Sequence, residues 1–250
     1  MKNGIAEKTP LFYARVAGYS LLLLALIALY ANFFVLLELL IPGDAAATVA
    51  NITANELSFR FAIASFVIVL VLDVIISWAL YVLLRRVDKT GALLAMIFRL
   101  VYSAILGAAI FNFLSILLLV KEEAYLAELG TNQLQGQVML LIDGFSNGWV
   151  IGLVFFGIHL LLIGYLVFKS GFMPKILGIL VMLAGLGYMI DSFAYIILEN
   201  YDDYEIVFVL IVAIPGAIGE LALAIWLLLK GKKIPEMTPV KESCEERVHP

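Results

Sequence analysis

Six apolar runs, at about 15–40, 59–84, 92–120, 145–168, 175–198 and 206–229, divide this chain, and its charged residues gather mainly between them. A helix crossing about 30 Å of hydrocarbon needs about 20 apolar residues at 1.5 Å each. Each run meets that length, so the pattern predicts six transmembrane helices rather than a large soluble core. The first run is too long for the apolar region of a signal peptide, and no small-residue cleavage site closes it. It reads as a retained span.

The connections differ in charge, and the difference predicts orientation. Lys2, Lys8 and Arg15 precede or open the first span, Arg85, Arg86 and Lys89 follow the second, Lys169 and Lys175 follow the fourth, and Lys230, Lys232, Lys233, Lys241 and Arg247 follow the sixth. The other three connections carry Asp44 and Glu56, then Lys121, Glu122, Glu123 and Glu128, then Glu199, Asp202, Asp203 and Glu205. Basic residues thus mark alternate connections, as six spans with both termini in the cytoplasm require. Arg60 departs from the pattern and can snorkel to the outer interface. The domain plan is a cytoplasmic N-terminus (1–14), a six-span domain (15–230) and a disordered cytoplasmic tail (231–250). Residues 41–58, with PGDAAATVANITANELS at their heart, read as a polar exterior loop, and 121–144 as a second. In the second, the apolar half of NQLQGQVMLLID either lies in the interface or extends the fourth helix outward. Asn51-Ile52-Thr53 matches a glycosylation acceptor on the exterior side, which matters only in a eukaryotic secretory membrane.

Composition narrows the functional classes. Of 250 residues, 64% are apolar and 14% charged, against about 45–50% and 25% in soluble domains. The net charge of −4 says little about partners, because the charges are segregated by side. No basic patch large enough for nucleic acid is present. Cys244 is the only cysteine and lies in the tail, so a disulfide framework and a thiolate metal cluster are both excluded.

Ionisable residues inside the spans carry the candidate chemistry, since each costs about 2.5–3.5 kcal/mol to insert. Asp73, Arg99, His159 and Glu220 come from spans two, three, four and six. Counted from their cytoplasmic helix ends at 1.5 Å per residue, all four lie roughly 14–18 Å deep, close to the midplane. Ser77 and Ser103 each follow a charged member by four, on the same helix face, and Tyr102 flanks Arg99. Pro215 and Gly216 precede Glu220 by one turn, where a proline frees a carbonyl. Arg99 can neutralise only one of the two carboxylates. The other must be protonated, hydrated, paired with protonated His159 or bound to a cation. Three readings follow: interhelical glue, a ligand site or proton pathway, and a catalytic or metal centre. The last is disfavoured. Zinc sites use more nitrogen or sulfur ligands, the other histidine, His249, is in the tail, and Arg99 would repel a cation. No hydrolase or phosphate-loop motif occurs. Toward the outer side, Asp143, Asn147 and Asp191, with Asn32, Asn112, Tyr188 and Ser192, form a candidate exterior vestibule, although each alone reads as an interfacial anchor or cap.

Gly144, Gly148 and Gly152 put a bare face on the fourth span, and Gly178, Ala184, Gly185 and Gly187 do so on the fifth. Tight packing within the chain explains them, with contact between copies as the alternative. Trp78, Trp149, Trp226, Tyr13, Tyr81 and Tyr165 cluster near span ends, as interfacial belts do. No internal repeat of the kind many transporters carry is visible.

The segments ARVAGYSLLLLAL (14–26), LLRRVDKTGALLAMIFRL (83–100), GLVFFGIHLLLIGYLVFKSGFMPKILGILVMLAGLGYMIDSFA (152–194) and GELALAIWLLLKG (219–231) together resemble the DUF4386 family of bacterial membrane proteins. Arg99, His159, Asp191 and Glu220 fall inside these segments, and Asp73 falls outside them. The resemblance implies an integral membrane protein from a prokaryote, and no activity, cofactor or catalytic residue.

The expected protein is an all-α, multi-pass membrane bundle in a bacterial inner or plasma membrane, without cofactor, metal or nucleic-acid partner. It is permease-like or ligand-binding through the midplane layer, its ligand a small molecule, a proton or a lipid. The alternatives are a structural or accessory protein packing through its glycine faces, with homo-oligomers included, and an intramembrane lipid-modifying enzyme. Reporter fusions at residues 88, 172 and 235 should read cytoplasmic and those at 50, 130 and 202 exterior. An inverted reporter at 130 or 202 would break the topology.

Overall fold

The computed structural model describes residues 9–121 and 130–235. Lys2, Lys8, Glu122, Glu123, Glu128, Lys241, Cys244, Arg247, His249 and most of the tail lie outside the described residues. The protein is all-α, with six helices long and apolar enough to span a membrane. They are α1 (Pro10–Leu39), α3 (Glu56–Leu84), α4 (Lys89–Leu119), α5 (Thr131–Lys169), α6 (Lys175–Ile197) and α7 (Glu205–Lys230). A short helix, α2 (Ala45–Ala54), sits between the first two. Chain neighbours pack antiparallel, and α1 also packs on α7, which closes the six spans into a ring.

One connection differs from the sequence expectation, and a second takes one of the two forms expected of it. The stretch 41–58 is not a plain loop, since most of it forms α2. Asp44 caps that helix by accepting from the Ala47 N–H at 2.9 Å. Thr48, fully buried, accepts the Ile41 N–H at 2.9 Å and donates to the Ile41 carbonyl, tying α2 back onto the end of α1. The side chain of Asn51 donates to the Leu39 carbonyl at 3.4 Å. Within 121–144, helix α5 begins at Thr131, so the apolar half of that connection extends the fourth span, by about four turns. Arg60 pairs with Glu56 one turn earlier, at 2.6 Å.

Asp88 and Pro174 set the entries of α4 and α6. The Asp88 carboxylate accepts the Gly91 N–H at 2.9 Å, satisfying one of the free N–H groups at a helix start, and Pro174 stands at the N-cap of α6. Pro215 lies inside α7, which continues through it. In α1, residues Tyr30–Leu36 widen to π-helical hydrogen bonding, with the Leu37 N–H reaching back to Asn32 O. The Asn32 amide donates to the Ala28 carbonyl at 2.9 Å.

Small residues set the helix spacing. Lipid is as apolar as leucine, so spans associate by close packing rather than by the hydrophobic effect. On α5 and α6, Gly157 faces Gly185 and Gly164 faces Gly178. A Cβ on Gly157 would lie 2.7 Å from Gly185 O, and one on Gly164 would lie 2.6 Å from Gly178 O. The seven-residue spacing on both helices keeps the two contacts on one seam. Gly144, Gly148 and Gly152 instead face α4, against Asn112, Ala109 and Tyr102. Gly187 on α6 lies against the Ile211 carbonyl of α7, the carbonyl one turn before Pro215. The glycine faces are thus covered by neighbouring helices of the same chain.

Gly164→Ala, which would set a methyl 2.5 Å from Met182 Cγ and 2.6 Å from Gly178 O, should lower stability by about 1–3 kcal/mol. Gly136→Ala meets nothing within 4 Å and should leave stability unchanged or raise it by up to about 1 kcal/mol. Thermal unfolding of the two variants in detergent checks the contrast.

Candidate functional site

The buried face of α3 runs Phe59, Ala62, Phe66, Val69, Asp73, Ile76, Leu80 and Leu83, a three-to-four-residue rhythm that places Asp73 on the core stripe. On α4 the stripe runs Ala92, Ala95, Arg99, Tyr102, Leu106, Ala109 and Phe113, and on α5 Gly152, Phe156, His159 and Ile163. Asp73, Arg99 and His159 each keep only 1% exposure.

Helix packing brings these three into contact. Arg99 Nε donates to Asp73 Oδ1 at 2.8 Å, and Arg99 Nη2 lies 2.6 Å from the same oxygen. Arg99 Nη1 lies 3.2 Å from His159 Nε2, and His159 Nδ1 lies 2.8 Å from the Ala95 carbonyl. The partners assign the tautomer. A carbonyl only accepts, so Nδ1 carries the proton; a guanidinium only donates, so Nε2 must accept. Neutral imidazole satisfies both contacts, whereas an imidazolium would set N–H against N–H. Ala95 stands one turn before Arg99, and its methyl leaves the helix face low enough for the imidazole to reach the backbone.

Phe156, one turn before His159, completes the triad's wall. The guanidinium carbon of Arg99 sits 5.3 Å from its ring centroid, a cation–π distance, and its ring stacks on His159 with centroids 5.8 Å apart. Ser103 donates to the Arg99 carbonyl at 3.0 Å and Ser77 to the Val74 carbonyl at 2.9 Å. The second Asp73 oxygen is buried without a hydrogen-bond partner.

Glu220 belongs to the same layer but not to the triad. It lies on the inward stripe of α7 with Gly216, Leu223 and Leu227, and it is half-buried. Among the described residues its one hydrogen bond comes from the Tyr188 hydroxyl of α6, at 3.3 Å. Gly216, a turn before Glu220, makes room for that hydroxyl, which would stand 3.2 Å from a Cβ there. Tyr188 meets Phe156 edge to face at 5.3 Å, and this ring joins Glu220 to the triad. Arg99 therefore pairs with Asp73, and Glu220 is the carboxylate left over.

The layer is closed along the bundle axis. Toward the end carrying Arg85 and Lys169, Leu80, Leu83, Leu84, Ile163 and Leu166 are buried. Toward the opposite end, Phe66 packs on Phe113, Phe145 and Trp149, and the Phe113 and Phe145 rings stack at 3.9 Å. Beyond these rings a groove of about 240 Å³ opens between α1 and α5, lined by Asn32, Leu36, Phe113, Phe145, Ser146 and Trp149. A wider groove of about 520 Å³, lined by Phe12, Arg15, Tyr19 and Ile75 among others, runs along α1 toward the other end.

Of the candidate vestibule residues, Asn32 lines the 240 Å³ groove, whereas Asp143, Asn147 and Asp191 do not. Asp143 and Asn147 are exposed, and Asn147 accepts from Tyr195 at 3.3 Å. Asp191 accepts from Tyr201 at 2.7 Å. Burial first, then the bond to Asp191, pushes the Tyr201 hydroxyl above the ordinary phenol range. Asn112 donates to the Ala109 carbonyl at 3.0 Å, and the Ser192 hydroxyl is buried without a partner. Among the described residues no group of three or more His, Cys, Asp or Glu gathers to hold a metal ion.

Sequence reasoning missed Phe156 and the pairing of Tyr188 with Glu220. Phe156 had a signal, since it precedes His159 by three and shares its face. Tyr188 had none that sets it against Glu220, because the register of α6 on α7 is fixed by Gly187 on Ile211 and Gly219 on Leu180.

Fold and layer together define a multi-pass helical membrane protein. The chain belongs to the DUF4386 family, whose description is "Domain of unknown function (DUF4386)" and whose profile matches residues 16–231. A relative from Archaeoglobus fulgidus, described as "Uncharacterized protein", is 32% identical over 177 residues, covering 71% of this chain and 88% of its own. No solved structure matches.

Asp73→Ala strands Arg99 in the interior and should cost about 3–5 kcal/mol, whereas the double variant Asp73→Leu with Arg99→Leu should recover much of that loss. Thermal unfolding of the two variants against the parent reads the difference.

Proposed function

We propose that this chain is a ligand-binding, permease-like protein of a prokaryotic plasma membrane with both termini cytoplasmic. In this reading Glu220 receives the ligand or exchangeable proton, and the Arg99–Asp73–His159 triad is the fixed framework beside it. One observation carries the reading: the layer cancels its other charges and leaves Glu220 half-buried with a single 3.3 Å hydroxyl contact. An ionisable group inside a membrane without a compensating charge is costly to keep, and substrate or proton pathways are where such a group is useful. Glue alone would account for the triad, since each of its charges is paired, but for Glu220 it offers one long hydroxyl contact and no opposite charge.

The closed triad also favours a second reading, that of a structural or accessory protein. Against the accessory form, the glycine faces lie on helices of the same chain. A lipid-modifying enzyme would need a lipid-open groove ending at His159, whose exposure is 1%.

The test is purification from native membranes followed by mass spectrometry of co-purifying molecules, and proton flux in reconstituted vesicles, for the parent and Glu220→Gln. Loss of a bound small molecule or of flux in the variant, with its melting temperature retained, is the expected result. Unchanged ligand content and flux, with only lower stability in the variant, would reduce the layer to glue.

A further inference from the structure

The wider groove, of about 520 Å³, follows one face of α1 at the end of the bundle carrying Arg85 and Lys169. Thr9, Arg15, Val16, Tyr19 and Ser20 line it from α1, and Ile75 lines it from α3. Its volume lies within the about 300–1,000 Å³ typical of ligand sites. From Thr9 to Ser20 the helix rises about 16 Å, roughly half of the 30 Å hydrocarbon core, so the groove runs the depth of one leaflet. Arg15 is exposed and Tyr19 keeps 65% exposure. In a membrane-spanning bundle, what meets such a face is lipid.

The polar groups along the groove have no protein partners. Thr9 stands at the N-cap of α1 without making a cap bond through its side chain. Among the described residues, Arg15, Tyr19 and Ser20 make no side-chain hydrogen bond or ion pair. Serines of the neighbouring spans behave differently: Ser77, Ser103 and Ser115 each return the hydroxyl to a carbonyl three or four residues back. A hydroxyl left unbonded in hydrocarbon is costly, and a guanidinium more so. These groups therefore call for oxygen acceptors from outside the chain, arrayed along an apolar trough.

A phospholipid supplies acceptors in that order. Cα–Cβ bonds tilt toward a helix N-terminus, so Arg15 carries its guanidinium toward Thr9 and the headgroup level. There its planar fork suits a phosphodiester. The ester oxygens lie deeper, on the side of Tyr19 and Ser20, and an acyl chain fits beside Val16 and Ile75. No acidic side chain lines the groove, so nothing there would hold the positive group of a zwitterionic headgroup, which Arg15 repels. We propose that this groove is a site for one anionic phospholipid, with its phosphodiester on Arg15 and an acyl chain laid between α1 and α3.

The full chain, stripped of lipid in an uncharged detergent, is titrated by native mass spectrometry with phosphatidylglycerol and phosphatidylcholine of the same acyl chains. Phosphatidylglycerol should bind about tenfold more tightly. Arg15→Gln should remove that preference by weakening phosphatidylglycerol about tenfold, and Arg15→Lys should keep most of it. Both variants should retain the parent melting temperature, because Arg15 supports no contact of the fold. Arg60→Gln, at the opposite end of the bundle, should change neither affinity. Equal affinity for the two lipids, an unchanged preference in Arg15→Gln, or an equal loss in Arg60→Gln would overturn the proposal. So would displacement of the lipid by millimolar inorganic phosphate, which would make the site one for a free anion, or a change in oligomeric mass in place of lipid affinity in Arg15→Gln, which would make the groove a contact between copies.

Discussion

The ion pair between Arg99 and Asp73 is the constraint on which the bundle's interior depends. A guanidinium at 1% exposure inside a membrane-spanning bundle has no solvent to stabilise it, and its energy rests on the partner it reaches. Two of its nitrogens converge on one Asp73 oxygen and a third reaches His159. His159 in turn is held by the Ala95 carbonyl, one turn earlier on Arg99's own helix. The network therefore locks α3, α4 and α5 at one height, since a slide of any of them by a single residue, about 1.5 Å, would break a bond that nothing else replaces. The polar groups act as a registration device among helices whose apolar surfaces could otherwise slip.

Glycine packing sets a second register that the network requires. The α5–α6 seam at Gly157 on Gly185 and Gly164 on Gly178 brings backbone to backbone. It fixes the level at which Tyr188 of α6 meets Phe156 of α5. The α6–α7 seam at Gly187 and Gly219 then fixes the level of Glu220. Ion pair and glycine seams thus meet at Phe156, whose ring touches Arg99, His159, Tyr102 and Tyr188. One aromatic side chain links the paired half of the layer to its unpaired half.

The division between those halves decides what the layer can do. The triad is buried, charge-balanced and hydrogen-bonded, apart from one Asp73 oxygen. Rearranging it would expose a bare charge, so it suits a fixed role. Glu220 is held by one long hydrogen bond beside a proline-containing stretch of α7, and a change there disturbs fewer partners. The aromatic stack of Phe66, Phe113, Phe145 and Trp149 separates the layer from the groove between α1 and α5, and the π-helical stretch of α1 lines that groove through Asn32. Such stretches recur at functional positions, and here the widened turn faces the groove rather than lipid alone.

Counting along the chain yields the six spans and the similar distances of Asp73, Arg99, His159 and Glu220 from their helix ends. Span length follows from hydrocarbon thickness, and depth from a fixed rise per residue, so both are one-dimensional quantities that counting recovers. The sequence also limited Arg99 to neutralising one carboxylate. It did not say which, because Asp73 and Glu220 lie at similar depth and their helices' order around the ring is not written in any periodicity. The helical form of 45–54 was hidden by its small and polar residues, which suit a loop until Thr48 finds the Ile41 backbone. Only the tertiary structure chose Asp73 for Arg99, turned His159 toward Ala95 and placed Tyr188 on Glu220. Those choices rest on the rotation and height of each helix, and these come from contacts between residues far apart in the chain, where a glycine on one helix admits the backbone of another.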